Sequence, residues 1–410
     1  MKTRCNGIKF LYTFLIFITI FSWCDLLSAF GTPPEKLTDI LIEGTESTYA
    51  GDYDKAWRIF NRISDLDSSH PSREFYLASV LFWKNNVDPS NPDSDNQIIA
   101  LLSQCIKKCE ALLAERPDDI EILHYAGIAW IYWGRLDVQR GRMYSGGVKG
   151  ETGRHYLEEA MALCSFGPKE GPEVSTSCNS EFCEEIYFPL GAYTYFAGRL
   201  PGFLRALNFL WFLPSGTTEE GLLYLKRAAE HSKLHGLSSK LLLLSIYMLF
   251  EKEYVEEAYE ISDAVIKQFP NNPYLDLQHA DTLIASGKYE KAVRHAENIR
   301  SKVERGVPLY DNGVELQANL AIAEALIFQN EWAEAMLLLN KLSRDRNYQD
   351  HTYTSKIYLL MGMGRDLQNK RTDALNLYDV TLDYDDRRLS RTVMKKARKY
   401  IKRPFTLSEE

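Results

Sequence analysis

The sequence predicts an all-α protein, a right-handed superhelical solenoid of about eight stacked helical hairpins. Three observations lead there. A small residue recurs where two helices of a hairpin would cross, at Ala56, Cys105, Gly153, Gly221, Ala258, Ala292, Ala335 and Ala374. Around these positions leucines and small residues repeat with helical rather than strand period. Their spacings scatter around or above the roughly 34 residues of a helical-hairpin repeat, the widest being the 68 residues from Gly153 to Gly221.

The first segment is read apart from the fold. Lys2, Arg4 and Lys9 precede an uncharged apolar run over residues 10–23, which is the pattern of a secretory signal peptide. The run is shorter than the roughly 20 residues that span a bilayer, and Ala29 and Gly31 place cleavage after one or the other. Export, to a periplasm or outside the cell, is the expectation, with 1–31 removed. The rival is a lipoprotein signal anchored at Cys24, against which stands Trp23 where a small residue is expected. Cleavage removes three basic residues and Asp25, moving the formal charge from -8 to about -10. So acidic a chain is not expected to bind nucleic acid, and membrane contact is expected only through a lipid on Cys24.

The hairpins follow in order. Residues 35–67 form the first, with Gly51-Asp52-Tyr53-Asp54-Lys55-Ala56 between its helices. The second, 72–116, is interrupted at 85–96, where Pro89 and Pro92 alternate with Asp88, Asp93 and Asp95 as in a long surface loop. The third, 119–165, holds the glycine-rich run 145–153, read as a loop joining two helices. The fourth, 180–232, is flanked and split by insertions at 166–180 and 197–215. The clearest unit is 237–269, stopped by Phe269-Pro270-Asn271-Asn272-Pro273. Units at 273–304, 312–345 and 352–384 complete the array, and Gly287-Lys288-Tyr289-Glu290-Lys291-Ala292 repeats the phrase of the first hairpin. A basic helix over 387–402, with Arg388, Arg391, Lys395, Lys396, Arg398 and Lys399, is expected to cap the open end with a solvated face. The expected divisions are 1–31 signal peptide, 32–165 N-terminal hairpins, 166–236 central hairpin with an apolar insertion, 237–386 C-terminal hairpins and 387–410 cap and tail.

Each part of the repeated phrase has a physical role. The glycine ends the first helix in a left-handed conformation, the tyrosine packs across the hairpin, and the alanine lets the backbones approach. These phrases resemble tetratricopeptide repeats, and the interval from Ala258 to Pro270 matches that family's distance from crossing alanine to stopping proline. The chain departs from the pattern where Val255 replaces a tyrosine, Gly153 and Gly221 replace alanine, and Arg371 replaces an aromatic. Over residues 127–229 the phrases Tyr187-Phe188-Pro189-Leu190-Gly191, Trp211-Phe212-Leu213-Pro214 and Glu219-Glu220-Gly221-Leu222 look like uncharacterised bacterial exported repeat proteins. They are distantly similar to the eukaryotic inclusion-body-clearance repeat family. That resemblance implies a repeat scaffold with an apolar insertion and no established chemistry.

Residues able to carry chemistry are sparse. Of the five cysteines after residue 31, Cys178 and Cys183 make the first disulfide candidate, and either could pair with Cys164. Cys105 and Cys109 read as buried packing, and His231 and His235 as surface histidines rather than a metal pair. The run 145–153 lacks the Gly-Lys-Ser/Thr order of a phosphate loop, so no nucleotide, metal or other cofactor is expected. Arg140, Arg142 and Lys149 make a local basic patch there. Aromatics concentrate in the middle third, so binding candidates are Trp130, Trp133, Arg140, Tyr144, Lys149, Tyr187, Tyr193, Arg199, Arg205 and Trp211. If the insertion folded over the concave groove, Arg140, Arg199 and Arg205 would edge an apolar cavity.

The function predicted from these residues is that of a non-enzymatic, exported scaffold taking an extended or helical segment of a protein partner into its concave groove. The alternative is a periplasmic carrier of a small molecule or lipid, associated with a transporter, with the central insertion as chamber.

Overall fold

The computed structural model of the protein describes residues 36–89, 91–164, 182–199, 216–348, 353–384 and 391–407. All regular structure among them is helical, and the helices pair in sequence. The first hairpin joins α1 (Leu37–Tyr49) to α2 (Tyr53–Asn61), the second α3 (Ser72–Asn85) to α4 (Asp95–Glu115), and the third α5 (Ile120–Gln139) to α6 (Met143–Leu163). The fourth pairs α7 (Tyr187–Gly198) with α8 (Thr218–His231), and the fifth α9 (Gly236–Leu249) with α10 (Val255–Gln268). The sixth to eighth are α11 (Pro273–Ala285) with α12 (Tyr289–Glu304), α13 (Asn312–Phe328) with α14 (Trp332–Arg344), and α15 (Thr354–Leu367) with α16 (Arg371–Asp383). A closing helix, α17 (Arg391–Lys402), follows.

All eight small residues lie on the second helix of their hairpin and all are buried. In six hairpins the small residue is the fourth of its helix. Cys105 and Gly153 are the eleventh, because α4 and α6 begin two turns earlier. The long spacings near the start of the array therefore combine helix extension with the long connection between α3 and α4, at a constant crossing point. The helix starts are set by local capping: Asp52, Asp119, Thr217, Asn272 and Asp311 each accept a hydrogen bond from a backbone N–H of the first turn. The left-handed turn residue is Gly51 (φ 82°) in the first hairpin and Gly287 (φ 67°) in the sixth. In the seventh and eighth hairpins Asn330 (φ 64°) and Asn369 (φ 58°) take its place, a side chain that adopts this conformation more readily than most.

Two expectations are corrected here. The glycine run 145–153 is not a loop, because helix α6 starts at Met143 and runs through it. Two of its glycines face α5 at backbone contact: a Cβ on Gly153 would lie 2.6 Å from the Gly127 carbonyl oxygen, and one on Gly146 2.8 Å from that of Gly134. A side chain there would push the helices apart, so glycine is required by packing and not by turn geometry. Gly221 does the same for α8 against α7, where an added Cβ would stand 2.4 Å from the Tyr195 nitrogen. Gly221→Ala is accordingly expected to cost about 2–3 kcal/mol, read as a lowered urea midpoint, whereas Ala374→Gly should cost only about 1 kcal/mol.

The second correction is the disulfide. Cys183 pairs with Cys164, at the end of α6, and not with Cys178, which lies outside the described residues. The bond joins hairpins three and four at a point where they already pack, with the Cα atoms 5.9 Å apart. Cys105 and Cys109 are free thiols and buried, as packing residues would be.

The array does not stay open. First helices of the early hairpins meet first helices of the late ones across the inner face. The Tyr49 hydroxyl and Ser238 Oγ are 2.7 Å apart, Asn272 Nδ2 donates to the Tyr49 carbonyl (2.9 Å), and Tyr49 packs edge-on to Trp83 and against Phe269. Trp83 in turn meets Tyr274 of α11, and the carbonyl of Val87, just past α3, accepts from Gln317 Nε2 and the Tyr353 hydroxyl (both 3.2 Å). One continuous apolar core thus runs from Ile40 to Leu275, and a second from Leu277 to Phe405, onto which Val87 packs.

The far end is closed by α17. Arg371, the departure from the repeat pattern, ties it down: its guanidinium pairs with the buried carboxylate of Asp366 (3.0 Å) and donates to the carbonyls of Tyr400 and Ile401 (2.7 Å each). Asp366 also accepts from the Tyr378 hydroxyl and the Phe405 N–H (2.8 Å each). A cation on the last carbonyls of a helix is favoured by the helix dipole as well as by the bonds themselves.

Candidate functional site

The inner face, expected to be an open groove, is largely filled by the chain itself. Between α1, α3, α5 and α9 the remaining void is about 10 Å³, space for no more than one water. Its walls include Thr45, Tyr76, Ser79, His235 and Ser238, and the Tyr76 hydroxyl and Thr45 Oγ1 find no hydrogen-bond partner among the described residues. Burial pushes the phenols of Tyr76 and Tyr132 up from their ordinary value. These groups are structural and neutral.

Beside this void two buried imidazoles face each other. His124 on α5 and His235, the residue before α9, place their Nε2 atoms 3.4 Å apart. Phe188 stacks on His235, and Phe182 and Tyr125 pack on His124. Burial lowers both pKa values, that of His124 further because the neighbouring His235 adds to the effect. The loop carrying His235 is held by Glu185, whose buried carboxylate accepts from the N–H groups of Lys233 (2.8 Å), Leu234 (3.2 Å) and His235 (3.1 Å) and from the Ser232 hydroxyl. His235 is thus a core residue, contrary to its reading as a surface histidine, while His231 is exposed. The signal missed was the leucine run after it, which buries the start of α9.

The eight binding candidates among the described residues do not converge on one cavity. Trp130 and Trp133 stack 5.6 Å apart with Lys149 5.0 Å above the Trp133 ring. The basic patch is consumed internally. Lys149, Arg142 and Ser145 all bind the buried Asp137 carboxylate, and Arg140, its side chain 6% exposed, grips Asp95 (2.6 and 2.7 Å) and the carbonyls of Pro89 and Asn91. Burial raises the Asp137 carboxyl, but hydrogen bonds from Lys149, Ser145 and Arg142 outweigh it and hold it below the usual range. A second set lies elsewhere. The Tyr193 hydroxyl donates to Glu151, Tyr187 is buried against Tyr224 under the Arg227 guanidinium, and Arg199 sits 4.1 Å above Phe250 and 3.3 Å from Glu251. Tyr144 is 72% exposed. Arg205 and Trp211 lie outside the described residues. The insertion expected to close a cavity edged by Arg140, Arg199 and Arg205 also lies outside the described residues, while Arg140 and Arg199 each pair with a different acid.

Among the described residues the inner face stays open at a place that the sequence reading missed. Where the loop after α3 approaches the start of α13, an open cleft of about 490 Å³ is lined by Val87, Asp88, Asn91, Asp311, Asn312, Gly313 and Gln317. Asp311 uses one oxygen to cap α13 through the Val314 N–H (3.0 Å). Nothing in sequence periodicity links two segments some 220 residues apart, which is why the cleft was invisible. The Asp-Pro pattern of the loop marked only a surface excursion.

The closure that frames this cleft depends on Asn272, which is fully buried. Its Oδ1 caps α11 through Tyr274 N–H (3.0 Å) while its Nδ2 holds the Tyr49 carbonyl. Asn272→Ala should cost about 2 kcal/mol, and hydrogen exchange should quicken in α1 as well as α11. Quickening confined to α11 would mean that the bond to Tyr49 does not contribute.

Among the described residues no three His, Cys, Asp or Glu side chains gather to hold a metal, and no helix is long and apolar enough to cross a membrane. No family model matches the sequence. Solved structures to which the fold is distantly similar include yeast Tom70, at 12% identity and a TM-score of 0.39 over 90% of this chain and 82% of that one. Another is the human IFIT1 dimer with PPP-AAAA, at 14% identity and a TM-score of 0.37 over 82% of this chain and 69% of that one.

Proposed function

We propose that the protein is an exported, non-enzymatic interaction scaffold that takes an extended segment of a protein partner into the part of its inner face its own N-terminal hairpins leave open. The observation that carries this reading is the cleft between the 86–91 loop and α13. Its volume of about 490 Å³ lies within the range of ligand sites and suits a few residues of extended chain. Its amide side chains at Asn91, Asn312 and Gln317 suit backbone recognition, and the carboxylates of Asp88 and Asp311 favour a segment with basic side chains. The void at the centre of the array is too small for a lipid, and the carrier alternative places its chamber in the central insertion, outside the described residues. Export rests on the apolar run 10–23 and its flanks, as read from the sequence.

A photo-crosslinking residue placed at Asn91 or Gln317 in living cells tests the reading. One recurrent protein adduct at both positions, competed by a basic peptide from that protein, is the expected result. No adduct at either, with a stoichiometric lipid carried by the purified protein in native mass spectrometry, would replace the scaffold by the carrier.

A further inference from the structure

The exposed face of α17 is a cationic stripe. Lys395, Arg398, Lys399, Lys402 and Arg403 follow one another at i, i+3, i+4, i+7 and i+8, so they share one side of the helix over about 12 Å, and all five are exposed. The segment 391–407 contains no acidic residue. Elsewhere several basic side chains that pack on the array are spent on carboxylates: Arg73 and Lys108 on Glu74, Arg140 on Asp95, Lys149 on Asp137, Arg227 on Glu184. On the stripe Lys395, Arg398, Lys402 and Arg403 pair with no described side chain, and Lys399 lies 5.4 Å above the Tyr400 ring. The opposite face is fixed to the array through buried Ala397 and Tyr400 and by Arg371 on the final carbonyls. The stripe is therefore held outward by a rigid seat.

We propose that this face docks on the surface of a bilayer containing anionic lipid. The chain carries a net charge of -8, so five exposed cations on one face, four of them paired with no described side chain, are a local reversal of its overall field. A folded protein partner would need an apolar centre to its interface, and within α17 no large apolar side chain is exposed beside the stripe. A sheet of anionic headgroups needs none: it offers continuous charge without shape, and each basic residue near it adds about fivefold to the partition. The end of the array rests on the membrane while the rest of the acidic surface is repelled from it. This attachment is separate from any lipid on Cys24 and does not depend on the cleft.

The test is co-sedimentation of the full chain with vesicles of phosphatidylcholine alone and with about one third phosphatidylglycerol. The readout is the ratio between the two compositions, to which the apolar run near the N-terminus contributes equally in all variants. The expected result is a ratio that falls several hundredfold in the variant K395Q/R398Q/K402Q/R403Q, and also on raising salt to about 1 M, where screening acts within about 3 Å. Those four side chains make no described contact, so the melting temperature should be unchanged. Equal binding to both vesicle types overturns the proposal. So does an unchanged ratio in the folded variant, or capture of an acidic protein through these residues with no vesicle preference.

Discussion

Replacing Asp276 by alanine is expected to remove about 3–5 kcal/mol of stability, enough to leave the array largely unfolded near 37 °C. The carboxylate is 1% exposed and stands between hairpins six and seven. Its Oδ2 accepts from Lys302 Nζ at 2.5 Å and from the Tyr310 hydroxyl, and its Oδ1 faces His295 Nε2 at 3.3 Å. Burial raises the carboxyl, but the bonds from His295, Lys302 and Tyr310 outweigh it and keep the group ionised, while the Tyr310 phenol is pushed up by burial and by the same carboxylate. Alanine would leave the Lys302 ammonium buried with only the carbonyl of Pro270 and the Tyr310 hydroxyl as neighbours. The penalty is for an orphaned charge, so the double variant D276L/K302M should recover most of it. Chemical denaturation of the three proteins decides the matter: a double variant no more stable than D276A would show that the ion pair is not the source of the loss.

The second large effect is acid sensitivity above the range in which carboxylates titrate. His124 and His235 are buried and neutral, and His279, buried beside His295, is lowered to about 4. In each case burial is the main cause. Glu185 near His235, and Asp263 and Asp276 near His279, pull the other way without prevailing. The folded chain therefore leaves these imidazoles unprotonated where the unfolded chain, with histidine near 6.5, binds protons. Stability is complete above about pH 7.5 and falls as pH drops through 6.5, by about 1.4 kcal/mol per pH unit for each histidine until it protonates in place. Between pH 7.5 and 5 the loss from the three histidines should reach at most about 6 kcal/mol, read from urea midpoints across that range. The variant H124F/H235F should flatten the slope by up to two protons. An unaltered slope would place the acid sensitivity elsewhere.

Neighbour packing is what a repeat sequence encodes, and it was the readable part of this chain. The crossing residues Ala56 through Ala374, the glycine turns at Gly51 and Gly287, and the basic closing helix all follow from local spacing. Interactions that close the array do not. Tyr49 meets Ser238 across 189 residues, and Val87 meets Tyr353 across 266, and neither residue type announces its partner. Arg140 looked free because its acid, Asp95, stands 45 residues earlier on a different hairpin. The glycines of α6 were misread for a related reason: glycine marks both a turn and a helix packed at backbone contact, and only the facing glycines of α5 distinguish them. Arg371, an apparent defect in the repeat, is the residue that anchors the final helix.

An open stack of hairpins behaves under tension as a soft spring, since each repeat yields a small rotation against its neighbours alone. The contacts from Tyr49 to Ser238 and Asn272, and from Val87 to Gln317 and Tyr353, act as struts across the coil. Pulled from its ends, the molecule should resist almost without extension until those struts part, then lengthen abruptly. Its mechanical character is that of a latched clasp.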